Sequence, residues 1–167
     1  MRKIIAIVFG LVLLGFVGTC VYFVGGVSAT YPPIKKYQYE GTVSQFEKKF
    51  KHFVSLHSDL RCEFSRRDSM RYEDGSRDLT IELTRNGNAI EYSLVCDNDS
   101  AKVVNAELKL VEAYNKTTIQ GGYSAKAKGI NPLVNYLEDS LLSQFCRDEH
   151  IAINPKKEGF WDHLHIY

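Results

Sequence analysis

The chain has 167 residues, with 21 basic and 20 acidic side chains for a net charge of +1, and 12% of it is aromatic. That near-balance disfavours a nucleic-acid binder, whose phosphate contacts demand a basic excess on one face. The length suits one domain with a sizeable core rather than two.

Residues 4–24 carry no charge. As a helix that run would span about 31 Å, which matches a bilayer core of about 30 Å. It predicts a signal anchor over residues 1–29, with Arg2 and Lys3 on the cytoplasmic side and the C-terminal domain outside the cytoplasm, periplasmic in a bacterium. The membrane is then the first partner, reached through the N-terminal helix. Two processed forms compete with this single-pass reading. Val27-Ser28-Ala29 offers small residues for cleavage, which leaves a secreted protein. Val17-Gly18-Thr19-Cys20 resembles a bacterial lipobox, although Thr19 stands where a smaller residue is usual.

Residues 30–41 open with Pro32-Pro33, which fix φ and exclude helix. Tyr37 and Tyr39 alternate with Lys36, Gln38 and Glu40, so the segment reads equally as an extended tether or a short edge strand. The tether is adopted as its domain assignment. A helix is predicted over residues 43–57, because Thr42 and Gln45 have capping-box spacing and Phe46, Phe50, Phe53 and Val54 form one apolar stripe.

Strand patterns follow. Leu60, Cys62 and Phe64 alternate with polar residues, as do Leu79, Ile81 and Leu83. Asn86-Gly87 predicts a tight hairpin turn into Ile90, Tyr92, Leu94 and Cys96. Asp97 to Ser100 turns the chain again into Val104, Ala106, Leu108 and Leu110. Clean alternation implies one wet face and an antiparallel sheet. Residues 115–129, NKTTIQGGYSAKAKG, are polar and Gly-containing, which predicts either a functional loop or a bulge inside a longer final hairpin. Asn131-Pro132 then predicts the cap and first position of a second helix, with Leu133, Leu137, Leu141 and Phe145 as its stripe. Residues 151–153 suggest a short strand, and residues 155–167 an aromatic tail holding Trp161.

The expected fold class is α+β: after the transmembrane anchor, a two-layer domain over residues 42–154 built as helix, four-stranded antiparallel meander, helix. Cys62 and Cys96 are in phase with the core residues of their strands, so a disulfide between them follows if those strands are neighbours. Cys146 competes as a partner, and three unpaired buried thiols are the plain alternative.

No catalytic, cofactor or metal site is legible. There is no G-x-S-x-G, H-E-x-x-H, Walker loop or C-x-x-C, and His163 with His165, or Cys146 with His150, falls short of a ligand set. The sequons at Asn98 and Asn115 carry little weight. The functional expectation is a membrane-anchored, extracytoplasmic binding or accessory module with a protein partner. Its wet sheet face, its 115–129 loop and its aromatic tail are the candidate contacts. An exported inhibitor or immunity-type protein is the alternative, and a hydrolase assembled from distant residues would leave no local signature.

Overall fold

The structure, a computed structural model, describes residues 32–66, 76–98 and 105–156. The chain divides into two units, Met1–Tyr31 and Pro32–Tyr167, of which the first lies outside the described residues. The expected anchor over residues 1–29 and most of the aromatic tail, with Trp161, His163 and His165, fall there too.

The described residues run β1 (Lys35–Glu40), α1 (Val43–Ser55), β2 (Leu60–Arg66), β3 (Arg77–Arg85), β4 (Asn88–Asn98), β5 (Asn105–Asn115) and β6 (Gln120–Gly122). A second helical stretch follows in three contiguous parts, α2 (Ile130–Tyr136), a π-helical segment (Leu137–Leu142) and α3 (Ser143–Asp148), and β7 (Ile153–Pro155) closes the order. The sheet runs β2-β3-β4-β5-β1-β7, antiparallel throughout, with β6 paired to the far end of β5.

This overturns the helix, meander, helix architecture. The described residues are sheet-dominated, with seven strands and two helical stretches, and a strand rather than a helix comes first among them. The segment assigned as a tether is β1, seated between β5 and β7 with Lys35 opposite Leu110 and Tyr37 opposite Pro155. Tyr37 and Tyr39 are 1% and 3% exposed. The physical reason is the alternation itself, since two aromatic rings on one face of an extended segment are stabilised by burial far more than by solvation.

The localisation expectation is corrected as well. Among the described residues no helix is long and apolar enough to cross a membrane. At 13 residues α1 spans only about 20 Å. The second stretch carries Glu138, Asp139, Arg147 and Asp148. The single-pass reading thus finds no spanning helix among the described residues.

Local chemistry explains the elements. The Thr42 hydroxyl accepts from the Gln45 N–H at 3.2 Å, and the Gln45 side chain accepts from the Thr42 N–H at 2.9 Å, completing the capping box. Asn98, at the end of β4, accepts from the Val43 N–H at 3.2 Å and satisfies a further orphan donor of the helix. The second helical stretch begins two residues earlier than expected, at Ile130 rather than Pro132. Gly129, at φ +79, is its N-cap, and Pro132 falls inside the first turn, where its missing N–H costs nothing.

Both helical stretches meet the sheet in one core. Phe46, Phe50 and Phe53 from α1 pack around Phe145 of α3, with the Phe50 and Phe145 rings 5.0 Å apart and near-perpendicular. Leu79, Ile81, Tyr92, Leu94, Leu108 and Leu110 supply the sheet side of this core. The Tyr92 hydroxyl donates to the Leu133 carbonyl at 3.0 Å and ties α2 down. The opposite sheet face is polar, with Lys109 bonded to Asp97 at 2.8 Å and Lys156 to Glu107 at 3.1 Å.

Candidate contact surface

The structure does not bring the two expected disulfide partners together. Cys62 sits on β2 opposite Ile81, and Cys96 on β4 opposite Arg77, so β3 lies between them. Two strand spacings sideways and four residues along β3 put their Cα atoms roughly 16 Å apart, against the limit of about 7 Å for a bridge. Cys62, Cys96 and Cys146 are free thiols. Burial pushes the pKa of all three up, which disfavours the nucleophilic thiolate.

Among the described residues no group of three or more His, Cys, Asp and Glu is placed to hold a metal. His57 is occupied at both ring nitrogens. The Phe53 carbonyl, 2.8 Å from Nδ1, can only accept, so Nδ1 carries the proton; Nε2 then accepts from the Gln144 amide at 2.8 Å. His52 contacts the Glu149 carboxylate through Nδ1 at 2.6 Å, on the solvent side of α1.

The loop singled out in the sequence is a hairpin in the structure. β5 runs to Asn115, turns, and returns as β6. Gly121 permits that return, because a Cβ there would lie 2.1 Å from the Ala113 carbonyl oxygen and the backbone φ is +107. The Asn115 side-chain oxygen accepts from the N–H groups of Thr117 and Thr118 at 2.9 and 3.0 Å, which rigidifies the turn from within. Asn115 is 9% exposed and committed to these bonds.

The turn is also fastened to its neighbour. The Lys116 N–H donates to the Ala89 carbonyl at 2.8 Å, and the Thr117 hydroxyl accepts from the Ala89 N–H at 3.0 Å. Ala89 follows the β3–β4 turn, where Asn86 and Gly87 take φ +51 and +76 as a tight primed turn requires. Two hairpin ends thus form one braced platform.

On that platform stands Ile119, 76% exposed and at φ +54. A β-branched residue with positive φ is a genuine outlier, costing on the order of 1–3 kcal/mol. Nearby on β6's continuation, Tyr123 is 57% exposed, and the Glu112 carboxylate pushes its phenol pKa up. Lys116 bridges Glu82 and Glu91 on the adjoining strands. The sequence signal for this site was faint, a lone Ile within a polar loop of fifteen residues.

A second feature lies where the C-terminal end of α1 meets the β2 and β3 ends and the π-helical segment. A cleft of about 70 Å³ has Phe53, Leu60, Leu83 and Leu141 as its apolar lining, with His57, Asp59, Arg85, Tyr136, Ser140 and Gln144 as polar groups. Arg85 Nε lies 3.6 Å from Asp59 Oδ2, an ion pair too long for a good hydrogen bond. No family model, curated protein or solved structure matches this chain.

Proposed function

We propose that this protein is a non-catalytic binding module for another protein, and that the joined ends of the β3–β4 and β5–β6 hairpins are its contact surface. The observation that carries this reading is Ile119: a large apolar side chain held in solvent, in a strained conformation, on a turn that hydrogen bonds hold rigid. Nothing in folding stability favours such an arrangement, and a pre-formed anchor lowers the ordering entropy that binding must overcome. Tyr123 and the ion pairs of Lys116 give the polar surround that apolar anchors usually have. The balanced charge argues against nucleic acid as the partner.

Ile119 stands 76% exposed on the turn, so the partner supplies the pocket. That favours an inhibitor as the specific form of the module, since a braced loop with one projecting side chain suits the concave site of an enzyme. Quantitative capture with the full chain tests the surface. Ile119→Asp should lower recovery of the specific partner by about tenfold or more, as expected for a hot spot of 2 kcal/mol or above. Leu56→Asp, at an exposed Leu after α1, should leave it unchanged. Equal recovery with both variants refutes the assigned surface. One-to-one inhibition of a captured enzyme identifies the inhibitor form.

A further inference from the structure

The cleft beside the π-helical segment holds charges that the fold leaves unspent. The Asp59 carboxylate has no hydrogen-bond partner among the described residues, and its ion pair with Arg85 spans 3.6 Å. Arg85 offers five N–H donors, and its side chain is 56% exposed. Gln144 gives its amide N–H to His57 and keeps its amide oxygen as a free acceptor. These groups rim a floor of Phe53, Leu60, Leu83 and Leu141, of which only the edges reach the cleft.

The wall is shaped by an irregularity of the helix. Ser140 and Leu141 belong to the π-helical segment Leu137–Leu142, and such insertions are rare in helices and frequent at functional sites. The same segment places Leu137, Leu141 and Leu142 in the core, so it joins the cleft wall to the packed interior.

We propose that this cleft binds a free amino acid with a branched aliphatic side chain, such as leucine or valine. The zwitterion matches the rim: its carboxylate meets the Arg85 guanidinium, and its ammonium meets the Asp59 carboxylate and the Gln144 oxygen. A cation and an anion already side by side, neither fully hydrogen-bonded, form the complement of an α-ammonium beside an α-carboxylate. The side chain meets the apolar floor. Its size is bounded by the volume, about 70 Å³, roughly half of the 150 Å³ cavity known to take a benzene ring, so an isopropyl or isobutyl group fits and an aromatic ring does not. This site is separate from the hairpin platform and stands or falls independently of it.

Ligand-observed saturation-transfer NMR on the full chain tests the assignment with four probes: leucine, N-acetyl-leucine, leucinamide and phenylalanine. Leucine should bind, and each of the other three should bind about tenfold more weakly or worse, since each lacks one charge or exceeds the volume. Two variants separate recognition from mere folding. Arg85→Gln should weaken leucine by about tenfold and remove the preference over leucinamide, while Asp59→Asn should do the same and remove the preference over N-acetyl-leucine. Arg61→Gln, on the exposed side of β2, should change nothing. Absence of leucine binding to the wild-type chain, or equal binding of leucine and both blocked analogues, overturns the proposal without recourse to any variant.

Discussion

Tyr39→Ala separates a tether from a strand. As part of an extended tether, Tyr39 would be a surface residue, and its truncation would cost within about 0.5 kcal/mol. In the structure it is 3% exposed, opposite Ala106 of β5 and Ile153 of β7, with its ring 5.6 Å from Phe46 in an edge-to-face contact. Truncating a core aromatic residue to Ala typically costs about 3–5 kcal/mol, the larger part from lost burial and the residual cavity. The edge-to-face contact accounts for about 0.5–1.5 kcal/mol of that, so Tyr39→Leu, which keeps most of the volume, should recover more than half of the loss. Urea unfolding followed by circular dichroism measures both variants, with the m-value expected to stay constant. A loss for Tyr39→Ala below 1 kcal/mol, at unchanged m, refutes the placement of β1 inside the sheet. So does a Tyr39→Leu variant no better than Tyr39→Ala.

Ile119→Asn should raise stability by about 1 kcal/mol in the same assay, because Asn accepts positive φ far more readily and little burial is lost; a destabilised variant contradicts the strain argument. Peptide mapping of the non-reduced chain should show no Cys62–Cys96 crosslink, and reductant should leave the unfolding midpoint in place; a bridged peptide would require a different strand order. At alkaline pH, burial above all holds the Tyr37 and Tyr92 phenols protonated well past their ordinary 10.0, with the Glu138 charge adding to Tyr37. The unfolded chain loses those protons first, so stability is fully present below pH 10 and falls above it, by about 1.4 kcal/mol per pH unit for each tyrosine. Tyr92→Phe should lower that slope by about one tyrosine's share, and an unaltered slope would refute the buried phenol.

Local structure was readable where one residue type has one physical use. The Thr42–Gln45 box, the Asn86-Gly87 turn and the two-residue alternation of Leu79, Ile81 and Leu83 all depend on neighbours in sequence, and periodicity reports those directly. Strand order depends on pairs such as Lys35 with Leu110, which no local pattern encodes. That is why the helix, meander, helix layout failed although its central strands were seen, and why in-phase cysteines gave a false impression of proximity. The start of the second helical stretch was misplaced for a related reason. Asn131 is a good cap by type, but Gly129 reaches φ +79 at no steric cost and begins the turn sooner. The contact platform was legible only as a loop. Its rigidity comes from Ala89 and Asn115, one of them on another strand, and the strain at Ile119 is a dihedral angle rather than a residue type.

The placement of β1 also orders events during synthesis. Lys35 waits for Leu110, 75 positions later in the chain, and Tyr39 waits for Ile153 as well. At 5–20 residues per second, the first strand emerges roughly 4–15 s before its earliest sheet partner exists. Over that interval Tyr37 and Tyr39 have no pairing edge, while β2 to β4 zip up by short-range hairpins. Insertion of β1 between β5 and β7 is then the closing step, and a nascent chain arrested before residue 105 presents an unpaired, aromatic strand to whatever chaperone or neighbouring chain meets it first.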